Sequence, residues 1–319
     1  MGEQFRHEAP VVITNCTARK RSKEQAVSSA EIRNVDSVRD LARRWVHLAQ
    51  GHSSATRAAD LYGGRSFRDA AVAAESCGAD LFIVSAGFGL VSSTTALPNY
   101  ALTVSQGAGS IAPKLKQCNA SPADWWRALC GELGSPDPVS RLVRQRSTAV
   151  VLLALPSSYL QMVAPELSNL GDRELSRLRL FTSLPGLGLL EQRVADCVLP
   201  YDDRLNGLQG HAGTRTDFPQ RALRHFVEVL QGHQLSLQEG KTAVVRALSR
   251  HKAPTREARV RASDDEICSA IKSLSTSGTL SASALLRRLR DEQGIACEQG
   301  RFRSLWQQVQ QGRVKVGVR

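Results

Sequence analysis

Three short apolar runs most tightly constrain the fold of this chain: "VVIT" (11–14), "LFIVSA" (81–86) and "AVVLLAL" (149–155). Each is β-branched or Leu-rich and leads directly into small polar, Gly or Pro residues, the pattern of a strand buried on both faces. Between the first two runs the apolar spacing becomes helical. "SVRDLARRWVHLAQG" (37–51) sets Val38, Leu41, Ala42, Trp45 and Leu48 on one face. An Ala-rich helix from about Ser66 to Cys77 is stopped by Gly78. Strand, helices, strand, helices, strand implies the α/β class, with a mostly parallel sheet flanked by helices. A fourth strand is expected at "RVADCVLP" (193–200), and a helix near Trp125 inside the Ser-, Pro- and Gly-rich stretch 107–146.

In open parallel sheets, ligands bind beyond the carboxyl ends of the strands. The polar elbows fall at those ends. They are Asn15-Cys16-Thr17, then Ser85-Ala86-Gly87-Phe88-Gly89, then Pro156-Ser157-Ser158-Tyr159, and Tyr201-Asp202-Asp203 before "GLQGHAGTRTDFP" (207–219). The basic run Arg19-Lys20-Arg21 follows the first elbow at once. Strand one therefore ends in the wall of a cleft with positive charge at its mouth.

Net charge is +12, and its distribution is uneven. Residues 241–319 hold 16 Lys and Arg against 7 Asp and Glu, while the preceding 240 residues hold 26 against 23. A nearly balanced body with a basic tail points to a polyanionic partner, most simply DNA, whose phosphates such a tail neutralises. The boundary lies in the charged stretch 250–263, read as a linker between a catalytic domain (1–249) and a small module (264–319). Ser263 and Glu266 form a capping box that opens a helix to about Leu274. "SASALLRRLRDEQG" (281–294) gives a second helix. "EQGRFRSLWQQVQQG" (298–312) gives a third, with Phe302, Leu305, Trp306 and Val309 inward and Arg301 and Arg303 outward. "RVKVGVR" (313–319) reads as a basic strand. Three helices and a strand suit a helix-turn-helix or winged-helix module, with Arg301 and Arg303 placed to contact DNA.

Other classes find little support. The seven cysteines have no CxxC spacing, and His47, His52 and His211 lack metal-ligand spacing, so no metal is expected. "GFGL" is no dinucleotide fingerprint, no Walker motif occurs, and Ser157 lacks a Gly-x-Ser-x-Gly frame, so no cofactor is expected. No apolar run reaches the ~20 residues of a membrane span, and "MGEQFRHEAP" has no signal-peptide core, so a reducing cytoplasm is the expected location.

"LYGGRSFRDAAVAAESCGADLFIVSAGFGLVSSTTALPNYALTV" (61–104) resembles bacterial proteins allied to the peroxide-stress protein YaaA and to accessory domains of the tRNA-guanine transglycosylases. The resemblance is carried by Leu61, Tyr62, Gly64, Phe67, Ser85, Ala86, Gly89, Leu90, Pro98, Tyr100, Leu102 and Thr103, and spans roughly residues 10–230. That group is similar in fold to the uracil-DNA-glycosylase superfamily, in which a loop after the first strand carries a water-positioning Asp or Asn and a later loop carries His, Pro and Ser. Asn15 stands at the first place and Pro156-Ser157-Ser158 at the second. Here the longer water-loop motif is missing and Leu155 stands where the His would be, which disfavours uracil as substrate. The resemblance implies a DNA glycosylase of the anti-phage kind, excising a modified base such as glucosylated hydroxymethylcytosine.

Cleaving an N-glycosidic bond builds positive charge on the sugar and negative charge on the departing base, and the nucleotide must first be swung out of the duplex. Asn15 is the candidate to orient water. Asp202 is the candidate anion for the sugar cation, with Asp203 and Asp217 as alternatives. Ser85, Ser157 and Ser158 can donate to the base, Phe88 and Tyr159 can sandwich it, and Gly87 and Gly89 allow close approach. Arg19, Lys20, Arg21 and Arg215 would contact phosphates. Because no lysine stands at an evident apolar elbow, water rather than an amine is the expected nucleophile. The competing readings are a non-enzymatic YaaA-like DNA-binding stress protein and an RNA- or nucleotide-base-processing enzyme.

Overall fold

A computed structural model describes residues 8–53, 56–253, 259–275 and 281–312. The expected basic strand at 313–319 lies outside the described residues. Contacts divide the chain into two units, Met1–Pro254 and Thr255–Arg319. The boundary falls inside the stretch read as a linker.

The larger unit is built on a five-stranded sheet. In chain order its strands are β1 (Val11–Asn15), β2 (Asp80–Ser85), β3 (Gly89–Ser92), β4 (Val151–Ala154) and β5 (Leu178–Phe181). Their order across the sheet is β3-β2-β1-β4-β5. All neighbours run parallel except β3, which folds back antiparallel on β2. The central strand β1 is buried throughout, which explains its unbroken "VVIT" rather than an alternating pattern. Val11 and Ile13 pack into one apolar cluster and Val12 into the other, so each face of the sheet has its own core.

Helices α1 (Val38–Gln50), α3 (Pro122–Glu132) and α5 (Ser157–Ser168) contribute to the first core. Helices α2 (Arg65–Ser76), α6 (Phe218–Glu228) and α7 (Leu237–Ser249) contribute to the second. Trp45 of α1 and Trp125 and Trp126 of α3 are all buried, so the paired tryptophans serve packing. Glu166 of α5 is buried with them. It accepts hydrogen bonds from Trp126 Nε1 and from the amides of Val139 (2.8 Å) and Ser140 (2.9 Å), which anchors the start of the intervening helix α4 (Pro138–Gln145).

The expected fourth strand at 193–200 does not form. Val194 and Cys197, three apart, are both buried, and that spacing makes a helical turn at Gln192–Ala195; only Val198 bridges to Leu180 of β5. The strand that takes the position beside β4 is "LRLF". Its Arg179 disguises it in sequence, because the side chain is buried and donates to the carbonyls of Ser176, Leu178 and Leu235.

In the smaller unit, α8 (Asp264–Ser275), α9 (Ala282–Asp291) and α10 (Gln299–Gln310) enclose a core of their own. The expected capping box is present: Ser263 N donates to Glu266 Oε2 at 2.7 Å, and Glu266 N to Ser263 Oγ at 3.3 Å. Phe302 and Leu305 of α10 are buried, and Trp306 and Val309 pack partly against them. A short parallel pair, Val260–Arg261 with Ile295–Ala296, lies inside the region expected to be linker and loop.

Candidate active site

The strand order sets where a ligand site belongs. The chain leaves β1 toward β2 on one side and leaves β4 toward β5 on the other, so the topological switch point, where such sheets place ligands, lies beyond the carboxyl ends of β1 and β4. Asn15 and Cys16 stand on one side of it, and Pro156 with the start of α5 on the other.

The elbow after β1 is fastened to the rest of the unit by backbone bonds. Cys16 N donates to Val84 O at 3.0 Å, Arg21 N to Leu61 O at 2.9 Å, and Gly63 N to Arg19 O at 2.9 Å. Thr17 Oγ1 adds a bond to Gly63 O at 2.8 Å. Asn15 is 8% exposed; its Nδ2 donates to Cys16 O and its Oδ1 accepts from Gln220 Nε2 at 2.8 Å. Gln220, fully buried near the start of α6, also donates to Thr14 Oγ1 and Ala154 O, so one amide ties the ends of β1 and β4 together.

Two indoles hold the elbow after β2. Trp45 Nε1 donates to Gly87 O at 2.7 Å and Trp125 Nε1 to Ala86 O at 2.9 Å. Ser85 Oγ accepts from the amides of Gly87 and Phe88 and lies 2.8 Å from Tyr100 Oη, which in turn lies 2.8 Å from Tyr62 Oη. A Cβ on Gly87 would meet Trp45 at 3.0 Å and Tyr100 at 3.2 Å. The close approach at Gly87 is thus to aromatic rings of the core. Gly89, by contrast, has φ +67 and turns the chain into β3.

Cys16 joins the three elbows. Its Sγ accepts from Ala86 N at 3.4 Å and lies 3.1 Å from Tyr159 Oη, which also lies 3.2 Å from Thr103 Oγ1. Beside it, Ser158 Oγ meets Ser105 Oγ at 2.9 Å. Tyr159 is 2% exposed and presents its hydroxyl to this network with no open ring face, whereas Phe88 is half-buried, edge-on to Tyr100 and Trp45. Burial is the main cause that holds the phenols of Tyr62, Tyr100 and Tyr159 well above their ordinary pKa, so all three are neutral donors.

Lys20 is seated against this cluster. It is half-buried between the exposed Arg19 and Arg21, bridges Tyr62 through the backbone, and its Nζ lies 3.9 Å from the centre of the Tyr100 ring. Nζ donates to Thr17 O at 3.1 Å. Burial pushes its pKa below the ordinary lysine value, against a weaker opposing effect of Cys16.

Asn15, Ser85, Gly87 and Tyr159 are therefore brought together, with Ser157 and Ser158 at the rim in the first turn of α5. Asp202 is not. The segment leading to it bridges outside β5, three strand spacings or roughly 14 Å from β1. Its carboxylate caps a turn and chelates Arg204, with contacts of 2.7–2.9 Å, a pairing that holds its pKa below the usual carboxylate range. Asp217 is buried against Arg221 at 2.7 Å, and Asp203 and Arg215 are exposed. Sequence reasoning missed Cys16, Tyr62, Tyr100, Thr103 and Gln220 as parts of the cluster. It also read Lys20 like its neighbours, because nothing in the sequence marks its place between Arg19 and Arg21, whose backbone groups pair with Gly63 and Leu61.

In the smaller unit a concavity of about 550 Å³ is lined by Arg259, Arg261, Arg290 and Arg301, together with Glu298 and Cys297. Arg301 is tied within it to Asp264 at 2.6 Å and to Ala262 O at 3.0 Å, while Arg303 is exposed on α10. Among the described residues, no group of three or more His, Cys, Asp or Glu is arranged to hold a metal ion, and no helix is long and apolar enough to cross a membrane. Compared with protein-family models, curated proteins and solved structures, the chain matches none.

Proposed function

We propose that the protein is a DNA glycosylase that hydrolyses the N-glycosidic bond of a flipped, modified base, with glucosylated hydroxymethylcytosine of phage DNA as the leading candidate. The observation that carries this reading is the meeting of three strand-end elbows through Cys16, Ala86 and Tyr159, with Asn15 beside them at the ends of β1 and β4. A flipped nucleotide needs a socket assembled from several loops, rich in neutral hydrogen-bonding groups and flanked by positive charge.

Asn15 Oδ1 keeps one lone pair beyond its bond to Gln220 and orients the attacking water. The water oxygen bonds to C1′ as the C1′–N bond breaks, and the base leaves with the electron pair. Ser157, Ser158 and the first amides of α5, which no side chain caps, favour that developing negative charge. Arg19 and Arg21 meet the phosphates beside the extruded nucleotide. Arg301 and Arg303 of the basic module add sequence-independent grip on DNA. Asp202, engaged by Arg204, has no part at the reacting bond.

The test is incubation with unmodified, uracil-containing and glucosylated-hydroxymethylcytosine DNA, with abasic sites scored by alkaline cleavage. Asn15→Ala should lose base release and Asp202→Ala should keep it. Failure to release any base from all three substrates would remove the reading.

A further inference from the structure

We propose that Lys20 is a Schiff-base nucleophile, whose Nζ condenses with the C1′ aldehyde of an abasic deoxyribose and gives the protein a strand-cleaving lyase activity on abasic DNA. The proposal takes only its substrate class from the glycosylase reading, since an abasic site is that reaction's product.

An amine nucleophile must be reachable, unprotonated for part of the time, and not locked to a carboxylate. Lys20 meets each requirement through geometry. It is half-buried, whereas its neighbours Arg19 and Arg21 are exposed. Its hydrogen-bond acceptor is a backbone carbonyl, Thr17 O, and no ion pair holds it among the described residues. The rest of its surroundings is aromatic, with Tyr100 at 3.9 Å and Tyr62 at 5.7 Å. Burial disfavours the ammonium form, in line with the lowered pKa, and outweighs the cation–π contact with Tyr100 and the bond to Thr17 O that favour it. The backbone bonds of Arg19 to Gly63 and Arg21 to Leu61 fix the loop on either side, so the amine is held in place. The two flanking arginines are exposed and available to phosphates.

The chemistry balances without a further reactant. The Nζ lone pair attacks C1′, and loss of water leaves a C=N bond. The C2′ proton passes to solvent, the C3′–O bond breaks, and the phosphate departs with the electron pair as the 5′ end of the downstream strand. Water then hydrolyses the imine, freeing Lys20 and an unsaturated aldehyde on the upstream strand.

The experiment uses the full chain and a synthetic duplex carrying one preformed abasic site, with sodium cyanoborohydride to reduce any imine. The expected result is a 1:1 covalent complex whose adduct maps by mass spectrometry to Lys20. Lys20→Met should lose both the complex and the strand cleavage, while Lys114→Met, which removes a lysine bonded to Ile32 O elsewhere, should keep both. The absence of a complex with wild-type protein, or an adduct on any other amine, overturns the proposal, and mapping on wild-type protein makes this independent of how the variants fold. Base release without a trapped complex would sink the lyase alone. A Lys20 complex without base release would support it and sink the glycosylase reading alone.

Discussion

On one face of the sheet Arg221 is buried with Asp217; on the other, Lys20 leans on tyrosines and, among the described residues, pairs with no carboxylate. In the first region each of these buried charges has an ionic partner. Arg221, 1% exposed, donates to Asp217 Oδ1 (2.7 Å), Thr214 O (2.7 Å), Asn206 Oδ1 (3.1 Å) and His211 O. Next to it Asp69 takes Arg224 at 3.1 Å and Arg65 at 3.4 Å, and Tyr201 Oη lies 2.8 Å from His225 Nδ1. The second region is a chain of neutral hydroxyls around Cys16, with one amine above it. Buried charges that are fully paired hold two pieces of chain together. A desolvated amine without a counter-charge contributes little to that.

The contrast can be broken most forcefully at Arg221. Arg221→Ala leaves Asp217 charged and buried, and the expected loss is about 3–5 kcal/mol in urea unfolding. A smaller loss would mean that the ion-paired cluster is not structural after all.

Acid gives the next largest effect. Burial, with help from His211 and His251, depresses His225 from 6.5 to about 4. Between those values the unfolded chain binds a proton that the fold refuses, so stability is complete above pH 6.5 and falls as pH drops toward 4. The drop is about 3 kcal/mol. It should shrink in His225→Asn, which keeps an acceptor for Tyr201 but does not titrate; an unchanged pH slope would refute the assignment.

A third change tests the wall of the other cluster. Gly87→Ala drives a methyl to 3.0 Å from Trp45 and should cost about 1–3 kcal/mol by overpacking. Because the shift is transmitted to Tyr100, trapping of abasic DNA should weaken with it. The smallest stability effect belongs to Lys20→Met. Exchanging a desolvated, unpaired ammonium for a thioether of similar length should change unfolding by no more than about 1 kcal/mol, with full loss of the trapped complex. A loss of several kcal/mol would instead make Lys20 a structural post over Tyr100.

Much of the scaffold was readable before any coordinates. The runs at 11–14, 81–86 and 149–155 are strands, the helices at 37–51 and 66–77 stand within a residue or two of expectation, and the capping box at Ser263 opens α8. The misreadings have two causes. Arg179 made a buried strand look interrupted, and Val194 with Cys197 made a helical turn look like a strand, since a short apolar run fits either period. Asn15, Ser85 and Tyr159 were chosen from their place at strand ends, and the structure places them near one another, with Tyr159 buried rather than open to a base. Asp202 was chosen on the same rule, but the segment before it lies outside β5 and its carboxylate is taken by Arg204.

Local pattern determined which segments become strands and where their polar ends fall, because periodicity and turn chemistry act over a few residues. Tertiary structure alone decided that Cys16 meets Tyr159 across 143 residues and that Lys20, unlike Arg19 and Arg21, loses part of its water. The desolvation of an ionisable group is set by what packs on it from distant parts of the chain, and no spacing within the chain encodes that.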